Sequence, residues 1–376
     1  INSAISGVNG LAKEGAGTLL LGGANSFTGG LSINAGNVTV LQSAALGAGD
    51  VTVNGIAQSL SFGADMTVTN NINGIGLGYD IGTAGNTVRL EGSLSGGGAD
   101  IIGGGTLILA NAINAQPGAL FVFNGTTLIV EGAVQGQVSG LSGSTVGGTG
   151  TIDGFLGVVG TLTPGAGPGL AGTLTAGSLN LGVASTSLFD LGAVGVVGGS
   201  NDLVAVDTFL NLGGTLDVNP LANFNVGVGS YRLFNYGGPL TDNGLALGAG
   251  LLAAPLGVSY AIDTSIAGQV NLVRSYAGEY NWDGDNFGPN GAVDGGTSTW
   301  SLTSTNFANA DGTFNLAWGN EAGLAGTVGN FGGTAGTITL DGDFNFRGLN
   351  FLTGGYILDG GSLNMAAGFV NVTTGD

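Results

Sequence analysis

A short string of the form Gly-Thr-Leu-x-Leu/Val returns along this chain, at residues 17–21, 105–109 and 214–218, each time with glycine or asparagine soon after it. Self-similarity of this kind marks an architecture of stacked units, each burying its apolar face against the next. Between these strings lie other runs of four to six residues in strict alternation, such as LSINAGNVTV (31–40), DVTVNG (50–55), GTTLIVEG (125–132), GTLTAGSLNLG (172–182) and GTITLDGDF (336–344). Apolar residues at i, i+2 and i+4 put one face of a strand into a core, while the intervening Thr, Ser and Asn face water. Helical spacing is nearly absent, and a glycine every four or five residues would cost a helix interior on the order of 1 kcal/mol each. Turn signals every 8–12 residues fit a sandwich, a barrel or a solenoid. The repeat selects the last, so the fold class expected is all-β, a parallel β-helix. The 80 glycines among 376 residues then have a purpose, because every coil turns at several corners where Gly and Asn take positive φ cheaply. Rungs of roughly 20 residues stacked at about 4.8 Å would make an elongated rod on the order of 90 Å long.

The residues that are missing exclude much chemistry. There is no cysteine, hence no disulfide frame and no thiolate site, and no histidine, which removes the commonest general base and zinc ligand. Only 5 residues are Lys or Arg against 24 Asp and Glu, a net charge of −19. The cations Lys13, Arg89, Arg232, Arg274 and Arg347 stand singly, whereas a phosphate backbone needs clustered Lys and Arg. Nucleic acid is therefore excluded as a partner. An anionic membrane surface is disfavoured by the same sign, and no apolar run approaches the roughly 20 residues of a spanning helix. The chain begins at Ile1 without methionine or a signal-peptide pattern, and so reads as processed or as part of something longer.

The segment 9–54 carries a core of the form K-x-G-x-G-T-L-x-L-x-G (Lys13, Gly15, Gly17, Thr18, Leu19, Leu21, Gly23). A turn A-N-x-[FY]-T-G-G follows (Ala24, Asn25, Phe27, Thr28, Gly29, Gly30), and then a strand start from Ile33 to Gly36. It resembles the autotransporter-associated β-strand repeat, which builds the passenger domains of type V secreted proteins of Gram-negative bacteria. The stretch GGTGTIDGFLGVVGTLTPGAGPGL (147–170), with NDLVAVDTFLNLGGTLDV (201–218) and YRLFNYGG (231–238), is similar to the later rungs of such passengers. YNWDGDNFG (280–288), GGTSTWSLTSTNFAN (295–309), AWG (317–319) and GTAGTITLDGDFNFRGLNF (333–351) resemble the Trp-rich module that opens them. The resemblance implies a right-handed parallel β-helix exported to the cell surface, divided into rungs of the repeat type (1–146), later rungs (147–275) and an opening module (276–376). The family's membrane barrel has no counterpart in this sequence. Late-rung motifs precede the opening module, an order that would follow if Asp376 led into a second copy beginning at Ile1, the chain being one repeat of a longer fibre. Self-association or tandem copies end to end are accordingly the expected partners, together with a host or matrix ligand.

Candidate sites are few. Asp283, Asp285, Asn286, Asn290 and Asp294 place oxygen ligands at alternating positions near a turn, as a calcium loop does, yet Asp stands where an EF-hand needs Glu. A solvated Asn/Asp turn is the competing reading, and no metal is assigned. GGSNDLVAV (198–206) approximates a calcium nonapeptide, with Asp202 one residue early; a strand entered through Asn201 and Asp202 is the plainer reading. Asp283 with Asp285 and Asp341 with Asp343, each at i, i+2, are carboxylate pairs a strand would set on one face. With Arg347 the only cation near either, they read as solvent-facing polar residues. Trp282, Trp300, Trp318, Phe307, Phe314, Phe331, Phe344, Phe346 and Phe351 crowd the last hundred residues, as a core or as a platform for sugar rings. The expectation is a non-catalytic structural or adhesive surface protein with no catalytic, cofactor or metal residues. The alternative is a glycan-binding or glycan-cleaving β-helix using region 276–351.

Overall fold

A computed structural model of the chain describes residues 1–55, 58–75, 78–111, 118–224, 229–254, 258–276, 279–319 and 327–373; Asp376 lies outside them. Strands dominate. The helical pieces among the described residues are a single 3-10 turn at Ser43–Leu46 and a one-turn helix at Ala249–Leu252. The strands stack as the coils of a parallel β-solenoid. Leu11, Leu31, Val51, Ile72 and Leu94 are successive register partners on the first face, each 20 to 22 residues after the last. A second face stacks nine strands from Met66–Val68 to Ala246–Leu247, and a third belongs to a sixteen-strand sheet that starts at Thr18–Leu21.

The repeated string explains itself once the coils are stacked. Thr87, Thr106, Thr127, Thr145, Thr161, Thr186 and Thr215 are register partners on successive coils of the second face. The residue after each threonine forms an inward ladder of Val88, Leu107, Leu128, Val146, Leu162, Ser187 and Leu216, all buried. Each buried Val or Leu contributes roughly 1.5–3 kcal/mol, and the rows form one core running from Leu21 to Leu272 without a break at Val146 or Ile152. Corners are tied by side chains. Asn25 accepts from the Ile5 amide at 2.8 Å and donates to the Ala45 carbonyl at 2.6 Å, linking three coils. Gly30 has φ +83°, and a Cβ there would lie 2.6 Å from the Asp50 carbonyl oxygen. Lys13 occupies an inward position opposite Ile33 and satisfies its ammonium with the carbonyls of Glu14, Gly15 and Ala35 at 2.5–2.9 Å.

The cross-section changes along the stack. Ala133–Val134 pairs with Thr151 and Ile152, while Val138–Gly140 pairs with Leu156–Val158, so the single strand Thr151–Val158 spans two strands of the preceding coil, with an irregularity between Ile152 and Phe155. Parallel stacking of the long sheet continues to Gly229–Tyr236 and then stops. Gln269–Tyr276 pairs with that strand antiparallel, and Val258–Asp263 pairs antiparallel with Gln269–Tyr276, a hairpin laid on the stack's edge. Alternation alone does not distinguish this hairpin from further rungs, which is why 147–275 reads from sequence as rungs throughout.

A second hydrophobic core gathers Tyr280, Trp282, Trp300, Phe307, Phe331, Phe344 and their neighbours. Its sheet has seven strands. The long strand Thr337–Phe351 pairs parallel with Ser298–Ser301 near its start, with Val328–Phe331 near its end, and with Ile357–Val372 along its length. Asn281, Asn330, Asn350 and Asn371 fall in register; Asn330 donates to Asn281 at 3.1 Å and Asn350 to Asn330 at 2.8 Å. The guanidinium of Arg274, on the hairpin, lies 4.1 Å from the ring centre of Phe314 in this second core.

Candidate functional site

Of the aromatic residues that spacing singled out in the last hundred positions, all but Phe351 are buried, and Phe351 packs half-buried against the same core. Trp282 and Trp300 are fully buried, Trp318 is 4% exposed, and Trp300 meets Trp318 edge-on at 4.6 Å and Phe344 at 4.7 Å. The Trp282 and Trp318 indoles donate to the carbonyls of Gly296 and Asn345 at 2.9 and 3.0 Å, which fixes the rings inward. None of the three offers a face to a sugar. Phe287, at 53% exposure, and Phe369, at 43%, are rings of this region that do reach solvent.

The acidic loop is folded on itself. Asp283 is fully buried just after the strand Tyr280–Trp282, while Gly284 at φ +62° turns the chain so that Asp285 is exposed, and the proposed carboxylate pair is split. One Asp283 oxygen accepts from the Asp294 amide at 2.8 Å, and the other from Asn315 at 3.2 Å. Asp294 accepts from Asn286 at 2.8 Å and Asn290 at 3.0 Å. Four of the five residues singled out by spacing are thus brought together, with the Asn amides occupying carboxylate oxygens that a cation would need. Asp341 and Asp343 flank a register shift between Leu340 and Asp343; both are exposed, and Asp343 accepts from the Ser362 hydroxyl.

Asn201 and Asp202 are fully buried. Asn201 pins the loop after Leu191 by accepting from the Gly192 amide and donating to the carbonyls of Ala193 and Val196 at 2.8 Å. Asp202 accepts from the amides of Gly172 at 2.8 Å and Asp190 at 2.7 Å. Burial pushes its carboxyl up to about 7 against the opposing pull of those two amides. This is a fastening of loop to strand, with both oxygens turned inward.

What the structure does gather on a surface is a face of the long sheet that spacing along the chain had not marked. Asp80 stands opposite Asp100 on the next coil, with Ser59 on one side and Phe121 on the other. Burial raises both carboxyls, and for Asp80 the neighbouring Asp100 charge adds to it. A cavity of about 330 Å³ beside them is lined by Gly78, Gly98, Asp100, Ala119 and Phe121. Farther along, the Phe155 ring lies 6.1 Å from that of Phe209, and Phe121, Phe123, Val159 and Phe209 are each more than a third exposed. Aromatic residues at outward positions of alternating runs, as in Leu120-Phe121-Val122, were the available signal. The Asp80–Asp100 contact spans two coils and required the register.

Comparison with known proteins agrees with this architecture. Residues 11–40 match the passenger-associated-transport-repeat. Over 235 residues, 58% of this chain, the sequence is 40% identical to the adhesin BmaC autotransporter of Brucella suis biovar 1 (strain 1330), of which the match covers 6%. The chain thus spans a small fraction of that relative's length. Lys13, Asn25 and Gly30, which tie the first coils together, lie within the matched passenger repeat, and over more than half its length the chain is similar to an autotransporter adhesin; these similarities indicate a protein secreted to the cell surface of a Gram-negative bacterium.

Proposed function

We propose that this chain is an adhesive, non-catalytic stretch of a surface passenger, in which the outward faces of the solenoid meet the target. The observation that carries this reading is the outward face of the long sheet, with its exposed aromatic rings and half-buried Asp80 and Asp100, held on parallel coils in fixed register. Its support from outside is the adhesin with which more than half the chain aligns. The non-catalytic reading is supported at Asp283, Asp294 and Asp202, whose oxygens are engaged by amides of the fold. Beads coated with the purified chain should bind epithelial cells or an immobilised matrix protein saturably, and paired Phe121→Ser and Phe209→Ser changes should reduce the binding. Attachment no greater than that of uncoated beads would remove the adhesive reading.

The same reading includes addition of a further rung. The strand Ile357–Val372 pairs with Thr337–Phe351 on one edge, and Ile357, Met365, Val370 and Val372 are each more than half exposed. A strand edge with such residues is a template for another coil of the same repeat type, and in this reading a second copy supplies it. Sedimentation velocity over a concentration series should show association that Val370→Lys abolishes; a species of constant mass would sink this part. The units proposed are the rung segments 1–146 and 147–275 and the module 276–376.

A further inference from the structure

The remaining cation with a distinctive setting is Arg232. Lys13 is spent on backbone carbonyls, Arg89 pairs with Glu131 at 2.7 Å and Glu91 at 3.6 Å, and Arg274 is buried against Phe314. Among the described residues no carboxylate lies within 4 Å of the Arg232 guanidinium. It stands where the long sheet changes from parallel to antiparallel partners, on a strand whose register shifts between Arg232 and Phe234. The shift turns both Leu233 and Phe234 into the core, so that Arg232 and Asn235 share the outward side. Two neutral amide oxygens then hold the guanidinium: Nε donates to Asn271 at 2.8 Å and Nη1 to Asn235 at 2.7 Å.

Beside it lies an open groove of about 430 Å³, within the roughly 300–1,000 Å³ typical of small-ligand clefts. Asn235 has Ala205 as its register partner on one side and Gln269 on the other. Asp207 and Tyr236 complete the polar lining. Small residues keep the groove open: a Cβ on Gly237 would lie 2.4 Å from the Asp207 carbonyl oxygen, and Gly268 turns the opposite rim at φ +79°.

We infer that this groove binds a terminal acidic sugar of a glycan, an inference that rests on the adhesive reading and names its ligand class. The sugar carboxylate takes the free edge of the Arg232 fork, the geometry a guanidinium prefers. Its hydroxyls donate to Asp207 and exchange hydrogen bonds with the amides of Asn235 and Gln269, each of which offers a donor and an acceptor. The mixture decides the class. A bare acidic peptide side chain would bring only acceptors toward Asp207, whereas a hydroxylated acid brings both the anion for Arg232 and the donors for Asp207.

Isothermal titration of the chain with 3′-sialyllactose, digalacturonate and neutral lactose tests this. At least one acidic saccharide should bind and lactose should not; Arg232→Gln should weaken binding by about tenfold or more, the worth of a charge-assisted hydrogen-bond pair. Asp207→Asn, whose side chain makes no hydrogen bond within the described fold, should also weaken it and decides the matter if Arg232→Gln fails to fold. No acidic saccharide binding, binding of lactose as tight as that of either acid, or unchanged affinity in both variants overturns the inference. Bead adhesion measured in parallel separates the two readings: adhesion retained without saccharide binding removes the groove alone, and saccharide binding retained without adhesion removes the adhesive role alone.

Discussion

At the scale of single residues, the inward ladder has one irregular step. Ser187 sits between Leu162 and Leu216, fully buried, and its hydroxyl finds no partner. An orphaned hydroxyl in an apolar row costs roughly 1–3 kcal/mol, so Ser187→Val should raise the urea midpoint, the added methyls replacing a group that gains nothing there. Asp202 has the opposite character, since its two amide donors are good partners but burial dominates. Its carboxyl is raised from 3.8 to about 7, so between these values the unfolded chain has lost the proton that the folded chain keeps. The contribution of this group is therefore full below pH 4 and is lost as pH rises through 7, on the order of 2–4 kcal/mol. Stability measured from pH 4 to pH 8 should fall, and Asp202→Asn should flatten that fall. Neither residue could be ranked from sequence, because Ser187 alternates like a core position and Asp202 looks like a turn residue until its burial is seen.

Among elements, the strands were legible and their neighbours were not. The alternation in LSINAGNVTV and GTLILAN gives the runs Leu31–Ile33, Asn37–Val40 and Thr106–Leu109 with the inward residues correctly chosen. The crowding of Trp and Phe between Trp282 and Phe351 coincides with the second core. The antiparallel hairpin of Val258–Asp263 and Gln269–Tyr276 was missed, since pairing direction leaves no trace in a period of two. That hairpin carries Arg274 onto Phe314, a buried cation over a ring between the two cores. All three tryptophans belong to the second core, so fluorescence reports on it alone while far-UV dichroism follows mainly the longer stack. Arg274→Ala should shift the fluorescence transition in urea to lower concentration, by an amount on the order of 2 kcal/mol, while the dichroism transition moves little. Coincident transitions displaced equally would show that the contact does not hold the two cores separately.

For the whole molecule, charge acts by repulsion. With 24 acidic residues against 5 basic ones, of which Arg89 pairs with Glu131 and Glu91, added salt has many like charges to screen and few attractive pairs to weaken. The melting temperature should therefore rise from low to physiological ionic strength, the reverse of what a protein held by surface ion pairs does; a fall would mean that attractive pairs outweigh the repulsion. Composition foretold this much, just as it foretold the lack of a histidine-based site. The faces that carry Asp80 beside Asp100, and Arg232 beside Asn235, came only from the way coils and hairpin align.

The coil length of 20 to 22 residues has a mechanical meaning. Each coil is held to its neighbours by one set of lateral bonds and threads through nothing else, so tension applied to the ends would peel turns off singly, like thread from a spool. Twenty residues released from a coil extend by about 70 Å. Drag on such a protein would be absorbed in a run of equal, small yieldings, and the oppositely directed hairpin across Gly229–Tyr236 is where that run would be arrested.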